Sequence, residues 1–403
     1  MPGDKSLSHR ALILAAMAAG RSEITGLGPG ADVAATRRAV GDLGIHWDAD
    51  AVVSPGVSRW SAPHGPVDCG NSGTAMRLLA GALAASPFTT ILTGDESLTT
   101  RPMERVAEPL RRLGATVVTT SAAPLEVTGG ALTGTAVELG IPSAQVRSAF
   151  ELGALQAAGP SQIDSPPGYR DHTERLLASF GLGTRLTQTR FEVLPGQVPA
   201  ARYEIPGDPS SASFLWAAAA LVPEARVTTP RISLNPGRLG FLEILGTMGA
   251  IVEGEVTEAF HGDPVGTISV TGAALLAIDV AGELVAAAID ELPLVAVLGA
   301  YAEGITTVRD ARELRTKESD RIATTVHMIR DLGGGAEERD DGFTVVGTGF
   351  LETGTVDPRG DHRIAMAAAV AATRSYGPVQ IAGSEVVDVS WPGFYETLED
   401  AWS

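Results

Sequence analysis

Apolar runs with almost no charge recur along the chain, each opened by a small polar or acidic residue. They begin near Ser6, Ser72, Ser143, Ser210, Asp290 and Asp361, at intervals of 66 to 80 residues. Their bodies, such as 213–221 and 364–372, are rich in Ala and apolar on every side. A helix of that kind is buried all round, so the pattern predicts six buried helices. A second marker runs out of phase with the first. Leu43-Gly44, Leu113-Gly114, Phe180-Gly181, Met248-Gly249 and Leu332-Gly333 each close a charged, amphipathic stretch, as a helix closed by glycine would. Segments 116–120 with 125–128, 184–188 with 191–194, and 251–255 with 267–270 then read as hairpins.

The repeated unit is therefore buried helix, strand, amphipathic helix, hairpin. Six copies divide into three and three near Ile205-Pro206-Gly207, giving an N-terminal domain over 3–205 and a C-terminal domain over 206–403. No hairpin follows the amphipathic stretch 394–402 of the sixth copy, and residues 1–2 read as the remnant of its closing hairpin. Weaker packing and an exposed edge are expected in the C-terminal domain.

A chain of 403 residues is too long for one ordinary core, which agrees with two domains. With 30 Lys and Arg against 48 Asp and Glu, the net charge of −18 argues against nucleic acid or an anionic membrane as a general partner. An anionic substrate must then be drawn by a local cluster of cations. Cys69 stands alone, so no disulfide framework or cysteine metal site is expected. Without a signal peptide or a long apolar span, the reading is cytoplasmic.

The helix starts carry the candidate chemistry. Lys5 and Arg10 flank the first, with Ser6 or Ser8 as its cap, where free N–H groups and the helix dipole favour an anion. The second start offers Asn71, Ser72, Gly73 and Thr74, and Arg101 precedes an amphipathic helix. Ser143, Ala144 and Gln145 open the third, and Gln145 is an unusual choice for an otherwise apolar first turn. Arg170 either binds phosphate or pairs with Asp171 or Glu174. Asp290 is either the N-cap of a buried helix or a base for a hydroxyl proton. Lys317 and Arg321 stand one helical turn apart, able to grip one anion, with Glu318 between them as a proton donor or acceptor. Arg363 opens the sixth buried helix. No P-loop, zinc or EF-hand spacing is present, and Gly26-x-Gly28-x-Gly30 lacks the Rossmann context. In a symmetrical two-domain protein these ends can converge on a cleft for small polyanions, with Asp290 and Glu318 for proton transfer.

Nine stretches, in order, carry a resemblance: PGDKSLSHR (2–10), GNSGTAMRLL (70–79), RPM (101–103), SAQVRSA (143–149), YRDHTE (169–174), GDPSSASF (207–214), IDELP (289–293), LRTKESDR (314–321) and GDHRIAMA (360–367). Together they resemble the enolpyruvyl transferases, and within them the 3-phosphoshikimate 1-carboxyvinyltransferase (EPSP synthase) family. The resemblance implies an α/β fold of two similar domains, each of three βαβαββ units arranged as an inside-out barrel, with an interdomain cleft that closes over the substrates. It implies transfer of the enolpyruvyl group of phosphoenolpyruvate to the 5-hydroxyl of shikimate 3-phosphate, with release of phosphate, and no metal or organic cofactor. Carried over by motif, Lys5, Ser6, Arg10, Ser143, Ala144, Gln145, Arg170, Asp290 and Lys317 hold shikimate 3-phosphate. Lys5, Gly73, Arg101, Gln145, Lys317, Arg321 and Arg363 hold phosphoenolpyruvate. Asp290, Glu318, Lys5 and Lys317 are the catalytic set. The resemblance also implies a monomer, open to the inhibitor glyphosate.

Two side chains depart from patterns seen in some members: Ser390 replaces a lysine near the C-terminus, and Glu313 replaces an asparagine four residues before Lys317. The sister family acting on UDP-N-acetylglucosamine would carry Lys-Asn where this chain has Lys5-Ser6, and a catalytic-loop cysteine; Cys69 reads as a packing residue. A non-catalytic, ligand-binding homologue is the other alternative, and turnover separates it.

Overall fold

The structure is a computed structural model that describes residues 1–402. Its chain forms two compact units. One holds Gly3–Pro206 with Ala259–Asp263, and the other holds Met1–Pro2, Gly207–Glu258 and the chain from Pro264 onward. The short excursion Ala259–Asp263, which the order of the repeats does not announce, is the turn of a hairpin.

The N-terminal unit contains α1 (Lys5–Met17), α2 (Ala31–Gly41), α3 (Gly73–Ala82), α4 (Glu104–Leu113), α5 (Ala144–Ala154) and α6 (His172–Ser179). Helices α1, α3 and α5 are the apolar ones. Every residue of α1 from Leu7 and of α5 from Val146 is buried. Small side chains let these helices approach closely: a Cβ on Gly81 of α3 would stand 2.0 Å from the Ala149 carbonyl oxygen of α5.

Three four-stranded sheets surround them, each with a parallel pair followed by an antiparallel hairpin. Val67–Asp68 runs parallel to Thr89–Thr93, which pairs through Leu125–Thr128 to Thr116–Val118. Ala136–Glu138, Ser161–Asp164, Phe191–Val193 and Gly183–Arg185 repeat that order. In the first sheet, Ala19–Thr25 pairs antiparallel with Ala51–Pro55, but its parallel partner is Arg202–Glu204, from the far end of the unit.

The C-terminal unit contains α7 (Pro209–Leu221), α8 (Gly240–Thr247), α9 (Glu283–Ala287), α10 (Leu292–Tyr301), α11 (Arg321–Asp331), α12 (His362–Ala372) and α13 (Phe394–Trp402). Helices α7, α10 and α12 form its core, and α10 is buried at every residue. Its sheets have three, four and two strands. The last is the parallel pair Gly354–Val356 and Val379–Ile381 alone.

The alternation of helices and strands is the mixed α/β architecture that the resemblance implies, and the buried helices are those expected from the apolar runs. Gly44, Gly114, Gly181, Gly249 and Gly333 all take a positive φ, between 71° and 112°, where a side chain would be strained. No helix among the described residues is long and apolar enough to cross a membrane.

Candidate active site

In the N-terminal unit, polar groups gather at the starts of α1, α3 and α5. Asp4, rather than Ser6 or Ser8, caps α1, its Oδ1 accepting the Leu7 N–H at 2.9 Å. A cap must lie outside the first turn to fold its oxygen back onto free N–H groups, and Ser6 and Ser8 lie inside it. Ser8 Oγ instead donates to the Asp4 carbonyl at 2.7 Å and accepts the Gly28 N–H at 2.9 Å. Lys5 Nζ lies 3.1 Å from Asp32 Oδ2, with Ser6 half-buried beside it.

Arg10 is buried and donates to Thr173 Oγ1 at 2.8 Å, Ser148 Oγ at 2.8 Å and the Ser6 carbonyl at 2.9 Å. It thereby ties α1 to α5 and α6. Burial pulls its guanidinium down to about 10, while Glu151, Asp4 and Asp263 draw it back up.

Ser143 caps α5, its Oγ accepting the Val146 N–H at 3.4 Å, and Ala144 follows half-buried. The Gln145 carbonyl accepts from Arg77 Nη1, and its amide nitrogen donates to Thr74 Oγ1 at 2.8 Å. Arg101 Nη2 donates to Asn71 Oδ1 at 2.6 Å. A Cβ on Gly73 would stand 3.2 Å from Arg77 Nη1 and 3.4 Å from Arg101 Nη1, so two guanidinium groups close on its bare Cα. Arg170 sits half-buried ahead of α6. Its acidic neighbours are engaged by other arginines: Arg175 meets Asp171 at 2.7 Å, and Arg185 meets both Asp171 and Glu174 at 2.6 Å.

In the C-terminal unit the predicted residues meet around Asp290. Its Oδ1 lies 3.4 Å from Arg321 Nη1 and 3.9 Å from Lys317 Nζ, and its Oδ2 lies 3.9 Å from Arg363 Nη2. Arg363 Nη1 also donates to the Asp290 carbonyl at 3.1 Å. Asp290 does not cap α10, since the N-cap position is Glu291. The carboxylate thus faces three cations from outside the helix start.

Arg321, at most 1% exposed, also donates to Glu318 Oε2 at 2.6 Å and to Asp361 at 2.7 Å. Burial works against its charge, but Asp361, Glu318 and Asp290 together hold it more firmly protonated than a free arginine. Burial likewise works against charge on Asp361, and Arg321 overcomes it, keeping that carboxyl below its usual range. Lys317 and Arg321 do not share a helix: Lys317 follows the 3₁₀ turn Arg312–Thr316, and α11 begins at Arg321. Their convergence comes from this bend. Lys317 Nζ also meets Glu313 Oε1 at 3.2 Å.

Sequence reasoning did not single out Asp32 or Arg77, which hold Lys5 and Gln145, and it read Asp361 only as the residue that opens a buried helix, not as the partner that holds Arg321. Arg77 left one trace, as a lone charge inside an apolar helix. Among the described residues no group of three or more His, Cys, Asp or Glu is placed to hold a metal ion.

Residues 1–398 match the family described as EPSP synthase (3-phosphoshikimate 1-carboxyvinyltransferase). The chain belongs to the EPSP synthase family. It is 45% identical over 408 residues to the 3-phosphoshikimate 1-carboxyvinyltransferase of Halorhodospira halophila, covering 99% of this chain and 92% of that protein. The enzyme of the same name from Herpetosiphon aurantiacus is 41% identical over 407 residues, covering 98% and 94%. The solved EPSP synthase of Acinetobacter baumannii superposes with a TM-score of 0.88 at 37% identity, over 99% of this chain and 94% of that one. The enolpyruvyl transferase NikO from Streptomyces tendae shares the fold, with a TM-score of 0.78 at 17% identity over 99% and 93% of the two chains.

Proposed function

We propose a division of labour for the reaction of this family: transfer of the enolpyruvyl group from phosphoenolpyruvate to the 5-hydroxyl of shikimate 3-phosphate, with release of phosphate. Lys5, Ser6, Arg10, Ser143, Ala144, Gln145 and Arg170 bind shikimate 3-phosphate. Gly73, Arg101, Gln145, Lys317, Arg321 and Arg363 bind phosphoenolpyruvate, with Lys5 close to both substrates. Arginine suits the planar carboxylate and phosphate, and lysine acts as a mobile point charge.

Asp290 takes the 5-hydroxyl proton as that oxygen attacks C2 of phosphoenolpyruvate. The C3 methylene gains a proton from Glu318 or Lys317, giving a tetrahedral intermediate. Loss of a C3 proton and cleavage of the C2–O bond to phosphate then complete the transfer. C2 is cationic in character on the way to the intermediate, so nearby carboxylates stabilise it while the arginines fix the substrates.

The observation that carries this reading is the Asp290 carboxylate set among Lys317, Arg321 and Arg363 without serving as a helix cap. The test is phosphate release from phosphoenolpyruvate with and without shikimate 3-phosphate. Release that needs both substrates, and falls about a hundredfold to ten-thousandfold in Asp290→Asn, is expected. Binding of shikimate 3-phosphate without turnover would select a non-catalytic protein instead.

The same reading makes the enzyme a cytoplasmic monomer sensitive to glyphosate at the phosphoenolpyruvate site. The bare Gly73 supports that sensitivity, because a methyl group there would press on Arg77 and Arg101. Activity that persists at millimolar glyphosate would refute it, and gel filtration checks the monomer.

A further inference from the structure

Arg10, Arg147, Glu151 and Glu174 lie buried together in the N-terminal unit, each at most 3% exposed, and the roles above use only Arg10. Glu174 is fully engaged by arginine. Its Oε1 meets Arg147 Nε at 2.7 Å and Nη2 at 2.5 Å, and its Oε2 meets Arg185 Nη2 at 2.6 Å. The Tyr169 ring covers the Arg147 guanidinium at 4.1 Å, and Ser165 Oγ accepts from its Nη1 at 2.9 Å.

Glu151, one turn after Arg147 on α5, lies against Glu174. Its Oε1 has no hydrogen-bond partner among the described residues. Ionised, Glu151 would place a bare oxygen in a dry interior beside a second carboxylate, and each circumstance disfavours the charge. As the acid it donates to Glu174, which is already an acceptor on both oxygens. Burial first, and Glu174 next, hold the Glu151 carboxyl well above the usual range, while Arg147 and Arg10 act the other way.

Arg10 donates only to neutral oxygens, on Thr173, Ser148 and Ser6. Of the carboxylates that attract it, Glu151 acts most strongly, ahead of Asp4 and Asp263, and Arg170 opposes them. We propose that Glu151 is a positioning residue: as the neutral acid it leaves the charge of Arg10 to the substrate anion, and once ionised it takes that charge for itself. This rests on the reading of Arg10 as a ligand of shikimate 3-phosphate. It adds a control on substrate binding that never touches the reacting atoms.

Two measurements on the full chain test it. The infrared difference spectrum between wild type and Glu151→Gln, taken near neutral pH, should contain the carbonyl band of an un-ionised carboxylic acid. Across the pH range in which that acid band disappears from the wild type, the KM for shikimate 3-phosphate should rise about tenfold in the wild type, with kcat changing less, and by under about twofold in Glu151→Gln. A missing acid band, a flat wild-type profile, or a variant that follows the wild-type profile would each overturn the proposal. Arg10→Lys separates the two readings. If it leaves that KM unchanged, the assignment of Arg10 as a ligand fails. If it raises KM while Glu151→Gln keeps the wild-type profile, only the role of Glu151 fails. Should Arg10→Lys not fold, calorimetric binding of shikimate 3-phosphate to the wild type and to Glu151→Gln at the two ends of that pH range decides the matter by the same criterion.

Discussion

Arg321 Nε donates to Asp361 Oδ2 at 2.7 Å, and its Nη2 lies 3.3 Å from the other oxygen, so one buried carboxylate holds two sides of the guanidinium fork. The same Asp361 caps α12 through the Arg363 N–H at 2.9 Å, which couples the positions of two proposed phosphoenolpyruvate ligands. Asp361→Asn keeps a competent cap and removes the charge. The expected loss of stability lies toward the lower end of the about 3–5 kcal/mol that breaking a buried pair costs, because Glu318 and Asp290 still hold Arg321. Urea unfolding measures the loss, and the KM for phosphoenolpyruvate should rise in parallel.

Arg77 fixes which end of the Gln145 amide faces which way. With the carbonyl held by Arg77 and one amide hydrogen held by Thr74, Gln145 keeps a second N–H for the substrate anion proposed above. Arg77→Lys gives up the rigid fork and frees the amide to turn. Steady-state kinetics should show the KM for phosphoenolpyruvate raised about tenfold, the equivalent of one charge-assisted hydrogen bond, with a smaller change in kcat.

His9 makes the fold sensitive to acid. Burial, the largest influence on it, drives its pKa from 6.5 to about 3, and its Nδ1 sits 2.7 Å from Thr36 Oγ1. Between those two values the unfolded chain binds the proton and the folded chain does not. Stability contributed by the neutral ring is therefore full above 6.5 and is lost as the pH falls toward about 3. His9→Asn should lose less stability than the wild type over that window, read from urea midpoints at each pH.

The close passage of α3 over α5 makes a packing prediction. Gly81→Ala forces a methyl group onto the Ala149 carbonyl, a backbone atom that cannot rotate away. Thermal unfolding should register a loss at the upper end of the about 1–3 kcal/mol usual for overpacking, or more. Gly41→Ala, where nothing lies within 4 Å of the new methyl, is the control.

What was legible in the sequence follows from range. The buried helices and the glycines that end the amphipathic ones are set by neighbours within a few turns, and six repeats made the pattern plain. The bend at Lys317 was not legible, because spacing alone reads four residues as a helical turn. Asp4 could have been recognised as a cap from its place just ahead of the apolar run. Arg77 bonds across 68 residues to Gln145, and Arg10 across 163 to Thr173, and no local pattern carries such pairings. Charged residues inside apolar helices were the one available signal, and Arg77, Arg147 and Glu151 all carry it.

The pairing of Ala19–Thr25 with Arg202–Glu204 sets an order of assembly. On a ribosome the second and third repeats can close their sheets as soon as their own hairpins emerge, since all of their strands are local. The first repeat to be made cannot. Its parallel partner is synthesised about 180 residues later, so α1, which carries Lys5 and Arg10, waits longest for its surroundings. His172 must also wait, over 91 residues, for its partner Asp263, 2.7 Å away in the finished fold. A polypeptide interrupted between those points therefore holds Lys5 and Arg10 in an unfinished core, exposed to chaperones and proteases.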